Sequence, residues 1–193
     1  MTALALVFLC VFFVAGSRAA QVPAAVPGQS EAAGKSLVIY LSKYGHTRAV
    51  AQEIQKVTGA DVFELQFRDA YPGLYRDFSD QARAEQRIGA RPAMRENIPD
   101  LKDYRTVYIG YPVWWYDMPM IFYTMLEAND FSGKTVVPFC TSGGSGFLNT
   151  IDKLRAAAPG ATVLNGLHVR DNARADSVPG AVADWLKNLG LAG

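Results

Sequence analysis

The chain has 193 residues, half of them hydrophobic, with 19 basic and 18 acidic side chains and a formal net charge of +1. That length suits one domain with a full core. The near balance of charge implies no basic face, which argues against nucleic acid as a partner.

From Thr2 to Ser17 there is no charged side chain. The run is shorter than the roughly 20 residues a spanning helix needs, and it fits the apolar region of a signal peptide. Ser17, Arg18 and Ala19 put small residues at both positions that define a cleavage site, so residues 1–19 are expected to be a signal peptide cut after Ala19. The expected destination is the periplasm or the extracellular space. No basic leader precedes the run, so two alternatives stand beside this one: an uncleaved segment that anchors the protein to a membrane, and a misassigned start in a cytoplasmic protein. Residues 20–35 are rich in Ala, Pro and Gly and read as a flexible tether. Removal of residues 1–19 deletes Arg18 and no acid, leaving 18 bases against 18 acids. Cys10 leaves with them, and Cys140 then has no partner for an internal disulfide.

Residues 36–193 carry the folding pattern. "SLVIYLS" (36–42) predicts a buried strand, and "TRAVAQEIQKVTG" (47–59) a helix with Val50, Ile54 and Val57 on one face and Gly59 as its stop. "DVFELQ" (61–66) is a second strand. A loop containing Tyr, Pro and Gly leads to a polar helix from Asp77 to about Ile88. "TVYIGY" (106–111) is a third strand, and "PMIFYTMLEAN" (119–129) a helix with Pro119 in its first turn. "KTVVPFC" (134–140) is a fourth strand, with Pro138 expected near its end or at a bulge. "FLNTIDKLRAAA" (147–158) is helical, "ATVLNGLHV" (161–169) a fifth strand, and "VPGAVADWLKNLG" (178–190) a closing helix. Five strand-then-helix units predict an α/β fold, a doubly wound parallel sheet with helices on both faces in three layers. Its continuous apolar strands agree, because parallel strands are covered on both sides.

Ligands of such sheets bind beyond the carboxyl ends of the strands. The loops there read "SKYGHTR", "YPVWWYDMP" and "TSGGSG". The first runs into a helix N-terminus, where free N–H groups and the helix dipole favour an anion such as phosphate. Thr47 could equally be only an N-cap. The second holds two prolines and three consecutive aromatics, Trp114, Trp115 and Tyr116. Burying such a ring removes about 150–250 Å² from water, so a core, a partner or a flat ligand should cover them. The third exposes backbone donors at its glycines. Together the three suit a planar ring with a phosphate tail.

In these loops, and in "LVIYLSKYGHTRAVAQEI", "YIGYPVWWYDMPM", "DFSGKTVVPFCTSGGSG" and "PGATVLNGLHVR", the sequence resembles the flavodoxin-like family, in the branch with a P-x-W-W loop and a GGSG loop. The resemblance spans about residues 36–190. It implies a five-stranded sheet in the order 2-1-3-4-5 and non-covalent FMN. Ser42, Tyr44, Gly45, His46 and Thr47 would hold the phosphate. Pro112, Val113, Trp114 and Trp115 would flank the isoalloxazine. Thr141, Ser142, Gly143, Gly144 and Gly146 would complete the ring and ribityl site. Tyr44 stands where the family usually has Ser or Thr, and His46 where Asn is frequent.

The other candidates have plainer readings. Two histidines and no Cys/His cluster predict no metal site. Cys140 reads as core and Trp185 as packing. The aromatic loop from Asp69 to Arg76 is either core or a lid, and Arg91 and Arg95 read as solvated surface. Functionally, an electron carrier working with a redox partner protein or a small quinone-like acceptor fits. So does an FMN-dependent NAD(P)H:quinone-type oxidoreductase, and a third possibility is an FMN-binding module without turnover.

Overall fold

The computed structural model describes residues 34–192. The expected signal peptide, and the tether up to residue 33, lie outside the described residues. The strands and helices are β1 (Lys35–Tyr40), α1 (His46–Thr58), β2 (Asp61–Glu64), α2 (Tyr75–Ile88), β3 (Tyr104–Pro112), α3 (Ile121–Glu127), β4 (Thr135–Ser142), α4 (Thr150–Ala157), β5 (Thr162–Val163), β6 (Leu167–Arg170) and α5 (Val178–Asn188). Every ladder is parallel, in the order β2-β1-β3-β4-β5, with β6 also on β4. This is the flavodoxin-like arrangement. No described helix is long and apolar enough to cross a membrane.

Strand alternation builds two cores. Leu37, Ile39, Val107, Ile109, Val136 and Cys140 face α3 and α4, where Ile121, Phe122, Met125 and Leu154 meet them. Val38, Tyr40, Tyr108, Val137 and Phe139 face α1 and α5, against Val50, Ile54, Val182, Trp185 and Leu186. Burying one such aliphatic or aromatic side chain is worth about 1.5–3 kcal/mol. Gly110 is essential to the second core. A Cβ there would lie 2.0 Å from the Phe139 ring, so Gly110→Ala would push that ring out of place.

The expected fifth strand is split, and the reason lies in its neighbour. Pro138 sits mid-strand in β4 rather than near its end. The carbonyls of Lys134 and Val136 accept from Thr162 and Leu164, so this parity of β4 faces β5. At Pro138 the same edge lacks its N–H, because proline has none. The neighbouring chain leaves the ladder there and rejoins it at Leu167, opposite Phe139. Gly166 occupies the gap, where a Cβ would fall 2.3 Å from the Phe147 ring. Trp185 packs edge-on to Tyr108 and donates its indole N–H to the Asn165 carbonyl.

Candidate functional site

The loops after β1, β3 and β4 converge on one cavity of about 560 Å³. Ser42, Tyr44, His46 and Thr47 line it from the first loop, Pro112, Val113, Trp114 and Trp115 from the second, and Thr141 and Ser142 from the third. Four expected residues, Gly45, Gly143, Gly144 and Gly146, are not among the lining residues. Gly45 and Gly144 have backbone conformations that favour glycine. Gly45 has φ 93, a left-handed conformation that only glycine adopts at little cost, and it caps α1. Its N–H donates to Ser42 Oγ at 3.1 Å. Gly144 has φ 138, and a Cβ there would come 3.1 Å from the Arg170 guanidinium.

Thr47 is not the helix cap. Its hydroxyl, on a residue 1% exposed, lies 2.9 Å from that of Thr141, itself 3% exposed, and this bond ties the first loop to the third. Only one of the two hydroxyl hydrogens is used in the pair. The other is a leftover donor at the cavity wall. Ser142 organises the third loop. Its Oγ accepts from Gly144 N–H at 3.3 Å and Gly146 N–H at 3.2 Å. A hydroxyl has two acceptor sites and one donor, so its O–H is left for His168 Nε2, 2.9 Å away. His168 carries no sequence signal for this role, because only the β4–β6 register sets it beside the loop.

The aromatic loop has an unusual turn. Trp114 and Asp117 exchange both backbone hydrogen bonds, at 2.9 and 3.0 Å. Trp115 and Tyr116 between them have φ 49 and 67. This is the type I′ pattern, which ordinarily takes Asn-Gly. Holding a bulky L-residue there costs on the order of 1–3 kcal/mol. Buried Asp117 anchors the turn, accepting from Met118 N–H at 2.7 Å and Tyr123 O–H at 3.1 Å and pairing with Lys153.

Different neighbours cover the three rings. Trp114 packs edge-on to Phe78, with centroids 4.6 Å apart, and beside Phe67 and Tyr71. Trp115 donates its indole N–H to the Ser79 carbonyl at 2.8 Å, and the Arg83 guanidinium sits 4.6 Å over its ring. Tyr116 stays 71% exposed.

Helix α2 supplies a further wall: Tyr75, from the stretch expected as core or lid, and Phe78, Ser79 and Ala82, which carried no site expectation. The available signal was Phe78 and Ala82, two apolar residues four apart on a polar helix. Lys43, Tyr116, Ser145 and Asp171 also line the cavity. The Asp69–Arg76 loop divides between core and rim. Tyr71 is packed, its O–H donated to Glu85 and its phenol pushed up by burial, while Lys43 Nζ donates to the Pro72 carbonyl at 3.1 Å. Tyr75 is exposed at the mouth. Cys140 is buried, and burial pushes its thiol up to about 12, which suits core rather than catalysis. Arg91 pairs with Glu127, and neither Arg91 nor Arg95 lines the cavity. Among the described residues no cluster of three His, Cys, Asp or Glu could hold a metal.

The family profile for flavodoxin matches residues 35–189. The chain belongs to the flavodoxin family. Among solved structures, this flavodoxin is similar to a candidate flavoprotein from Bacteroides uniformis ATCC 8492, at 32% identity and TM-score 0.70, covering 80% of this chain and 98% of that one. A candidate flavoprotein from Bacteroides eggerthii DSM 20697 is 28% identical with TM-score 0.69, covering 81% and 98%. A Lactobacillus acidophilus NCFM flavoprotein, solved in complex with FMN, shares the fold at 24% identity and TM-score 0.60, covering 75% and 98%. No curated protein matches the chain.

Proposed function

We propose that this flavodoxin holds one FMN non-covalently in the cavity and carries electrons through it. The observation that carries the reading is the convergence of three loops on one space, with hydroxyl groups from two of them and an aromatic wall from the third and α2. The buried leftover O–H of the Thr47–Thr141 pair fits a phosphate or ribityl oxygen.

FMN supplies redox chemistry, accepting and returning electrons singly or in pairs. The chain's residues bind and orient it. The start of α1, with Tyr44, His46 and Thr47, faces the phosphate, where the helix dipole favours negative charge. Pro112 to Trp115 flank the ring. Ser142 and His168 hold the glycine loop against the ribityl chain, and Asp171, an acceptor, suits ribityl hydroxyls. Trp115, Tyr116 and Tyr75 form an exposed aromatic rim for a redox partner protein or a small quinone-like acceptor. The balanced charge of the chain implies that encounter depends little on electrostatic steering.

The test is the spectrum of the FMN-loaded protein on addition of NADH or NADPH. A carrier keeps its oxidised flavin band with either nucleotide, and chemically reduced protein then passes electrons to a quinone or redox protein. Rapid bleaching by a nucleotide, with quinone turnover, would replace the carrier with the NAD(P)H:quinone oxidoreductase.

A further inference from the structure

A second cavity of about 300 Å³ adjoins the first and shares Ser42, Lys43 and Trp114 with it. Its charged lining is unbalanced. Lys43, Arg48 and Arg95 converge there, against Glu64 alone. Glu64 is already neutralised: Arg48 pairs with one carboxylate oxygen at 2.6 Å, and Tyr40 O–H donates to the other at 3.3 Å. Arg95 gives one N–H to Gln66 Oε1, and Lys43 gives one to the Pro72 carbonyl. A guanidinium has five N–H donors and an ammonium three, so all three cations keep donors over. The cavity also carries three rings, Phe67, Tyr71 and Trp114, with Tyr71 tilted by 42° and 45° to the other two. Phe67 and Trp114 lie nearly parallel, 11° apart.

We propose that this cavity is a binding site for a flat organic anion, a small aromatic phosphate or carboxylate. Its charged group sits among Lys43, Arg48 and Arg95, and its ring lies along Phe67 and Tyr71. A purely structural role explains Arg48, which has its own acid. Arg95 is set beside this space by its backbone N–H bond to the Gln66 carbonyl, and Lys43 by the Pro72 carbonyl and the Phe78 ring, so both cations stand there with neutral partners. Guanidinium groups suit phosphate and carboxylate because their donors form a planar fork. The shared wall at Trp114 places such a ligand beside the larger cavity. The site stands on its own geometry and does not depend on the flavin reading.

The experiment is calorimetric titration of the full chain, saturated with FMN so that the larger cavity is filled, with phenyl phosphate, benzoate and uncharged phenol. At least one anion should bind and phenol should not. Arg95→Gln removes one charged fork from an exposed position and should weaken the anion about tenfold, the scale of one charge-assisted hydrogen bond. FMN affinity should be unchanged in that variant, because Arg95 does not line the larger cavity. Binding of neither anion, equal binding of phenol, or an Arg95→Gln protein that binds as tightly as the parent would each overturn the proposal. Failure of FMN to bind would count against the flavin reading alone, since the Arg95 comparison can be made without it.

Discussion

The hydrogen bond between Thr47 and Thr141 is the joint between two of the three site loops, and its worth can be measured by a double-mutant cycle. Thr47→Val keeps the shape of the side chain and removes the hydroxyl. The lost neutral hydrogen bond is worth about 1 kcal/mol, and the Thr141 hydroxyl, 3% exposed, is left without its partner. The sum is a destabilisation of about 1–3 kcal/mol for Thr47→Val, and the same for Thr141→Val. The double variant leaves no orphaned hydroxyl and adds two methyl groups to a buried site, so its loss should stay within about 1 kcal/mol. The expected coupling is therefore favourable by about 1 kcal/mol or more. Urea unfolding followed by tryptophan fluorescence, without added flavin, reads all four proteins. Repeating it with FMN adds the second half. Ligand at a hundred times its Kd stabilises by about 2.7 kcal/mol, and this increment should shrink in both single variants and remain small in the double one. If the two single losses simply add in the double variant, the hydroxyls do not act as a pair. If the FMN increment is the same in all four proteins, neither hydroxyl reaches the ligand.

Two further outcomes follow from local geometry. Tyr116→Gly should raise the urea midpoint, because relief of left-handed strain, on the order of 1–3 kcal/mol, exceeds the roughly 0.5–1 kcal/mol entropic cost of glycine, and the ring it removes is 71% exposed; a lowered midpoint would mean that the turn is not strained. The Cys140 thiol is raised by burial from 9.0 to about 12, so the stability tied to its neutral form is complete below pH 9 and lost as pH rises towards 12. That amounts to roughly 1 kcal/mol by pH 10. The fall in stability between pH 9 and 10 should be shallower in Cys140→Ala, and identical profiles would remove Cys140 as a cause.

Most of the element positions, and the parallel sheet, were legible because strands buried on both faces leave continuous apolar runs and glycine stops such as Gly59 mark helix ends; the strand order came from the resemblance to the flavodoxin-like family. The split of the last strand was not. It depends on which edge of β4 the missing Pro138 N–H falls, a matter of parity that sequence periodicity does not carry. The three loops that form the cavity were visible in their residue types. The contribution of Phe78, Ser79 and Ala82 was not, because they become a wall only when α2 is laid across the sheet edge. The glycines were visible as such, but the left-handed backbone of Gly45 and the Arg170 guanidinium lying against Gly144 were not. The three aromatic rings posed the question of what covers them. Trp114 is covered by Phe67, Tyr71 and Phe78 as well as facing the cavity, which no local pattern could show.

Flavin titration of the flavin-free protein decides whether the cavity takes FMN. Fluorescence quenching should show one FMN bound per chain, with FAD markedly weaker. Trp115→Ala should weaken FMN by about 1–3 kcal/mol, the scale of one aromatic ring's packing. No saturable FMN binding, or FAD binding as tight as FMN, would contradict the account.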